Sequence, residues 1–476
     1  MDKVKGLFFL ILLIFLNTQI AGAQNQWSLQ KCISQAQENS IAVKQKKLTI
    51  QQAEINAVRA LHNQYPNLSS SINYGLNFGR TIDPTTNLFE SQSISNNRIN
   101  LTTGMPLYNG GAIKNAISQT KIDVQSSKLD ADQYAQDLAL SVVQYYIAIL
   151  FAQDRLDNAR IQVQTTTEQL NQVDKLITAG SRPEGDRLDI LAQQARDEQN
   201  VIVYQNNVTT NKLALKQLLR LPLEQPFDIE RPSPNALQPS IQDQDIIAVY
   251  NYALNNRYDI KSGELKIKSA EMGVQIQKAF YLPSLSFFGS LSTSYSSLGQ
   301  KITGYRTKSS PLDVVFNGQN AHLDVLSEVP VTTKNPYFSQ VDQNLGYGFG
   351  FGLSIPIYEN YKYRAQVKQA QLSVENTRLN NDQIKENLKN NIQTSLNDLR
   401  ATANTYEAAK KTTTAQRLAY NNTKTKFDLG SANTFELLTA KNKLDISITD
   451  ELIARYDYIF RSKVIDYYLG RTITLN

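Results

Sequence analysis

Residues 345–355 read LGYGFGFGLSI, in which Leu345, Tyr347, Phe349, Phe351, Leu353 and Ile355 alternate with Gly346, Gly348, Gly350, Gly352 and Ser354. A period of two belongs to a β-strand, because successive side chains point to opposite faces. One face is then wholly apolar, and the other is reduced to glycine and serine. Three further segments carry the same pattern: Leu68, Ile72, Tyr74, Leu76 and Phe78; Ile99, Leu101, Thr103, Met105 and Leu107; and Leu285, Phe287, Leu291 and Tyr295, each interleaved with Ser, Asn, Thr or Gly. Strands are therefore predicted at 67–79, 98–108, 284–296 and 344–357. Segments of roughly 10 residues suit tilted strands crossing a bilayer, with apolar residues toward lipid and small polar ones toward a lumen.

Between these strands the signal is an absence. Residues 112–179 and 357–429 contain neither Gly nor Pro, although the chain of 476 residues has 21 Gly and 14 Pro. At about 1.5 Å rise per residue each block makes a rod on the order of 100 Å long. Apolar residues recur at three- and four-residue steps, as in Leu388, Ile392, Leu396 and Leu399, a narrow stripe suited to side-by-side helix packing. Each rod ends at a Gly-Ser pair, Gly180-Ser181 or Gly430-Ser431, after which a second helix returns over 184–219 or 434–468. A soluble sandwich also alternates, with one wet face. The rods are expected to spend their apolar stripes on each other, which leaves lipid as the partner for the aromatic strand faces.

The layout is written twice. Residues 36–68 align without a gap onto 253–285, pairing Asn39 with Asn256, Lys44 with Lys261, Glu54 with Glu271 and Pro66 with Pro283. Further on, Pro106 and Tyr108 match Pro356 and Tyr358, and Gly180 matches Gly430. The first set lies 217 residues apart and the second 250, so the second copy has gained 33 residues between its strands, where a loop absorbs length. The repeats are placed at 24–221 and 245–476. A stretch at 222–244, with five prolines from Pro222 to Pro239, joins them.

The N-terminus reads as a secretory signal peptide, 1–23: Lys3 and Lys5, the apolar run Leu7–Leu16, and the small residues Ala21-Gly22-Ala23. Basic residues are dispersed among acidic ones, so the formal charge of +6 makes no phosphate-binding stripe and no nucleic-acid partner is expected. The apolar run Leu138–Phe151 reads as a buried helix segment. The lone cysteine, Cys32, has no disulfide partner in its chain. With only His62 and His322, no phosphate-binding glycine loop and no metal-ligand cluster, no catalytic residues, metal site or cofactor are expected, and the chain does not read as an enzyme.

Four strands cannot close on themselves, and an open sheet edge in lipid leaves backbone groups unsatisfied at several kcal/mol each. The chain must pool strands with copies of itself. Two copies give eight strands with a filled interior, and three give twelve with an open lumen. Both stay open on the residues alone.

This order of features resembles the TolC-like outer membrane efflux proteins, the outer membrane factors. The resemblance covers essentially the whole mature chain. It rests on the duplication, the prolines expected at helix–strand junctions (Pro66, Pro106, Pro283, Pro356), the LYNGG segment at 107–111, and the tip segments LITAGS (176–181) and FDLGSANTFELLTA (427–440). It implies an α+β membrane protein: a homotrimer whose 12-stranded transmembrane β-barrel, four strands per chain, continues into a long periplasmic α-helical barrel of coiled-coil helices. The Pro-rich stretch is similar to the family's equatorial connector.

By the same resemblance, the protein is the exit duct of a tripartite efflux or type I secretion system. It sits in the outer membrane of a Gram-negative bacterium and works with a periplasmic adaptor and an inner-membrane pump of RND, ABC or MFS type. Ala179-Gly180-Ser181 and Leu429-Gly430-Ser431 match the turns that receive the adaptor, and Asp189 and Glu436 match acidic positions of the periplasmic gate. Asp186, Arg182, Arg187 and Phe427 lie beside them. The same acids have a plainer reading, because Asn433 with Glu436 and Ser181 with Glu184 spell helix capping boxes. The chain also departs from the family: Phe427 stands where a tyrosine is usual and Ala432 where an arginine is. The first tip, SRPEGD, reads as three residues longer than its counterpart, and it brings Arg182 and Arg187 as candidates for a different lock.

The segment 296–344 reads as a long extracellular loop whose apolar piece, Leu312–Phe316, points to local packing or a partial plug. A rival reading is a secreted trimeric coiled-coil stalk or adhesin. It accounts for the rods but gives the alternating strands no role.

Overall fold

The computed structural model describes residues 26–82, 87–91, 93–232 and 245–475. The expected signal peptide and the connector from 233 to 244 lie outside the described residues. Helices α1 (Leu29–Asn39), α2 (Ile41–His62), α3 (Ala112–Thr178) and α4 (Glu184–Leu218) have 11, 22, 67 and 35 residues. Helices α5 (Ile246–Asn256), α6 (Tyr258–Ala279), α8 (Lys362–Asp428) and α9 (Thr434–Tyr468) have the same four lengths in the same order. The identity of length, helix by helix, is the duplication seen in backbone form.

By contacts the chain divides into two compact units, and these are not the two repeats. One comprises the chain through Ile55, Lys121–Ser269 and the chain from Ser373, and the other comprises Asn56–Thr120 and Ala270–Leu372. Each unit takes parts of both copies.

The first unit is helical, with two short strands, β1 (Gln26–Trp27) and β6 (Asp228–Ile229), paired in parallel. The Tyr146 hydroxyl ties this pair to α3, donating to the carbonyls of Glu230 at 2.6 Å and Trp27 at 3.2 Å. Helix α3 is long and apolar enough to cross a membrane by composition alone. Its run 138–151 instead packs Leu138, Val142, Tyr146 and Leu150 against Cys32 and Ala36 of α1, Leu215 of α4 and Tyr456 and Ile459 of α9. Leu388, Ile392 and Leu396 of α8 pack on Val249 and Ile260 of the short helices and on Ile465 of α9. The two rods therefore do not spend their stripes on each other. Among the described residues they share an apolar cluster only near their C-terminal ends, through Val173, Tyr420 and Phe427. The other helices supply the remaining partners.

The second unit carries a four-stranded antiparallel sheet, built from β2 (Asn67–Asn77), β5 (Ile94–Asn109), β7 (Ser284–Ser296) and β10 (Gly346–Ser354), in the order β10-β7-β5-β2. The copies meet in the middle, β5 against β7. Register places Ile72 beside Ile99, Leu101 beside Leu291, Met105 beside Phe287, and Phe287 beside Phe351. All four apolar rows thus lie on one side of the sheet. Along the two outer strands that side is open, with Leu68, Ile72, Tyr347 and Phe349 70, 69, 81 and 74% exposed, while the central rows on β5 and β7 are mostly half-buried. The other side holds mainly Asn, Ser, Thr and Gly, with Ile94 and Arg98 on β5 and one aromatic, Phe288, whose ring crowds the place of a Cβ on Gly350, 2.7 Å from its Cζ.

Three of the four prolines stand at strand ends, Pro66 before β2, Pro283 before β7 and Pro356 after β10. Pro106 instead lies inside β5, where its missing N–H coincides with a register shift between Pro106 and Tyr108. Into the rods, Gly110 and Gly111 take positive φ of 65° and 86°, and at the matching positions Asn360 and Tyr361 take 46° and 66°. A Cβ on Gly110 would sit 2.4 Å from the Ala279 carbonyl, so only the first copy's turn demands glycine.

The 296–344 segment is not a loop. It is a hairpin, β8 (Gln300–Phe316) and β9 (Gln319–Lys334), turned by Asn317-Gly318 at positive φ, followed by α7 (Tyr337–Gln343). Gln340, 1% exposed, anchors its base by donating to the carbonyls of Ser296 and Asn335. Leu312 and Val315 are exposed on this hairpin. A small second hairpin, β3 (Arg80–Ile82) with β4 (Phe89–Ser91), occupies the first copy's equivalent.

Candidate functional site

Both rods end in the same turn. After α3, Gly180 at φ +72° donates to Ile177 O at 2.8 Å and Ser181 to Leu176 O at 2.8 Å. After α8, Gly430 at φ +75° donates to Phe427 O at 3.0 Å and Ser431 to Lys426 O at 2.8 Å. This is the Schellman cap, in which a left-handed residue satisfies the last free carbonyls. Nothing lies within 4 Å of a Cβ at either glycine, so the backbone alone selects Gly there. Ala179, Gly180, Ser181, Leu429, Gly430 and Ser431 are all exposed.

The two turns are of equal length. Helix α4 begins at Glu184 as α9 begins at Thr434, each after five linking residues. The expected three-residue excess of SRPEGD is therefore absent: those residues are the turn and the first turn of helix, counted against a shorter piece of the other copy. Equal length puts Asp186 at the position of Glu436 and Asp189 at that of Thr439. The Ser181–Glu184 capping box also does not form, because Pro183 is the N-cap and Glu184 pairs with Arg187 at 3.6 Å. The Asn433 cap does form, with Asn433 Oδ1 accepting from the Glu436 N–H at 2.8 Å and Asn433 Nδ2 donating to Glu436 Oε1 at 3.2 Å.

The arginines do different work. Arg182 crosses from the first turn to the second, donating from Nη2 to the Ala432 carbonyl at 2.8 Å, with its guanidinium 4.5 Å from the centre of the Phe427 ring. Asp186 stands behind it at 3.7 Å. Phe427, 1% exposed, is embedded among Val173, Ile190, Leu437 and Leu444, so each of the four helices contributes to the cluster under the turns. Arg187 stays in its own hairpin, 3.0 Å from Asp174. Asp189 and Glu436 are exposed and touch neither arginine among the interactions described.

Two further links join the rods, and both escaped the sequence reading: Gln169 donates to the Tyr420 hydroxyl at 2.8 Å and Gln172 to Asp428 at 2.8 Å. Burial pushes the Tyr420 hydroxyl up from its ordinary pKa, so it remains a neutral donor and acceptor. Isolated Gln and Tyr in a helical repeat carry no signal of their own.

The model of a family described as "Outer membrane efflux protein" matches residues 32–219 and 249–471, which together span both copies of the repeat. No curated relative matches the sequence. Among solved structures, the chain is similar to the outer membrane protein VceC of Vibrio cholerae, at 12% identity over 93% of this chain and 94% of that one, with a TM-score of 0.71. It is also similar to the open state of the MtrE outer membrane channel of Neisseria gonorrhoeae, at 16% identity, 93% and 89% coverage and a TM-score of 0.71. The CmeC outer membrane channel of Campylobacter jejuni matches at 15% identity, 93% and 85% coverage and a TM-score of 0.68. The match over both repeats, on a fold shared from end to end with these proteins, shows that the chain belongs to the outer membrane efflux protein family, non-enzymatic channels of the Gram-negative outer membrane that extend into the periplasm.

Proposed function

We propose that three copies of this chain form one exit duct, a twelve-stranded barrel in the outer membrane continued by a periplasmic barrel of helices. The observation that carries the reading is the four-stranded sheet in which, among the described residues, β2 and β10 have no strand on their outer edges and the apolar rows share one face, exposed along those two strands. In lipid such edges must be paired by other strands, and neighbouring copies offer them. Channels of this family form trimers and generally work with an adaptor and an inner-membrane pump, which supports the count. The serine and glycine face lines the lumen, and the duct is a passive conduit for small molecules or proteins driven by an RND, ABC or MFS pump. A secreted stalk would have no use for the apolar sheet face.

The tips close the periplasmic end. Ala179-Gly180-Ser181 and Leu429-Gly430-Ser431 receive the adaptor, Asp186, Asp189 and Glu436 form the acidic rim that attracts cations, and Arg182 over Phe427 holds the rim closed, while Arg187 braces only its own hairpin. The test is fractionation followed by reconstitution of the detergent-purified protein in planar bilayers. A membrane-extracted trimer with discrete, cation-selective conductance is expected; Glu436→Gln with unchanged selectivity removes the gate assignment, and a soluble protein with no conductance removes the duct.

A further inference from the structure

Beyond the tip cluster, Lys441 of α9 is 2% exposed, a rare burial for a lysine. Its Nζ lies 3.0 Å from Asp197 Oδ2 on α4 and 2.8 Å from Asp445 Oδ2 one helical turn further along α9. Asp197, also 2% exposed, accepts from Thr166 Oγ1 of α3 at 2.6 Å and from Gln193 Nε2 at 2.8 Å. Gln162 of α3 bonds Asp445, Arg196 of α4 bonds Gln193, and Tyr420 of α8 faces Asp445. Leu437 and Leu444, one turn either side of Lys441, belong to the apolar cluster that packs Phe427.

The duplication makes this site conspicuous. With the 250-residue offset, the first copy has Leu191 for Lys441, Ala195 for Asp445, and the second copy has Ser447 for Asp197. One copy holds the cation and the other the acid that faces it, so the cluster joins the copies and is not repeated. A buried charge left without its partner is strongly unfavourable, whereas a packed apolar substitute is often tolerated; such pairs serve best as devices that fix one arrangement over another.

We propose that Lys441 is a positioning residue, an ionic clasp that draws Asp197 of the first hairpin onto α9 and so holds the tips in the closed arrangement. The inference rests on the gate reading above. Removing the cation leaves two carboxylates in one buried site, and their repulsion drives α4 from α9. Burial already raises the Asp445 pKa, and losing Lys441 raises it further, so acid protonates Asp445, returns the site to the single net negative charge it carries with Lys441 present, and re-closes it.

The test uses the full-length, membrane-reconstituted protein and compares the open probability of wild type, Lys441→Met, the triple variant Lys441→Met/Asp197→Asn/Asp445→Asn, and Arg182→Ala. Lys441→Met is expected to be open at least three-fold more often at pH 7.5 and to return to the wild-type level at pH 5, while the triple variant matches wild type at both. An increase in Lys441→Met that persists at pH 5 and in the triple variant reflects lost packing and overturns the clasp. A rise with Arg182→Ala but not with Lys441→Met overturns the clasp and leaves the gate reading standing; no rise with any variant overturns both.

Discussion

The Arg182 guanidinium lies 4.5 Å from the centre of the Phe427 ring while donating to the Ala432 carbonyl, so one side chain from the first hairpin covers the most buried aromatic of the second. A charged hydrogen bond and a cation–π contact of this kind together contribute about 2 kcal/mol. Arg182→Ala is expected to lose that amount at the tips and to raise spontaneous opening in bilayer recordings. Arg187→Ala, which breaks contacts within one hairpin only, is expected to leave opening near wild type.

Gly180 and Gly430 are held at positive φ with open space around them, so Gly→Ala at either site adds only backbone strain, about 1 kcal/mol. Denaturant titration of each variant should show equal losses. Unequal losses would mean that one turn has a neighbour the other lacks.

The two sheet faces should respond oppositely to charge. Phe349→Arg places a cation on the apolar face and is expected to cost about 2–4 kcal/mol near the bilayer centre, read as loss of heat-resistant oligomer on gels. Ser290→Arg, on the opposite face, should assemble normally and shift ion selectivity toward anions.

Cys32 is fully buried beside Tyr146, and burial pushes its thiol from 9.0 to about 12. The thiolate fraction at pH 8 is then about a thousandfold below that of a free thiol, so native protein should resist iodoacetamide and unfolded protein should react readily. Because the folded value is the raised one, the associated stability is complete below pH 9 and drains away as pH climbs toward 12. Thermal melting of Cys32→Ser should flatten that alkaline decline.

Much of this architecture was legible because it depends on local patterns. Gly and Pro punctuation delimits α3 and α8, and period-two alternation, being a property of neighbouring residues, marks the faces of β2, β5, β7 and β10. Strand order is different in kind: nothing local says that β5 of one copy pairs with β7 of the other. The 300–334 hairpin carries no clear strand signal, because its strands mix Lys, Ser, Asp and Thr with scattered Val and Leu, diluting the period. At the tips, the caps of Gly180, Gly430 and Asn433 follow from sequence, whereas the Ser181 box fails because Pro183 takes the cap. Arg182's reach to Ala432 and the Lys441 cluster join residues some 250 positions apart, beyond any local signal.

The most direct test of the whole account is cross-linking between the open edges. In a Cys32→Ser background, one cysteine at Asn73 on β2 is combined in turn with one at Gly348, Gly350 or Gly352 on β10, and the protein is oxidised in isolated outer membranes. At least one pair should yield covalent dimers and trimers and nothing larger. Only monomer from every pair, in protein released without detergent, would contradict the claim that these strands meet across subunits.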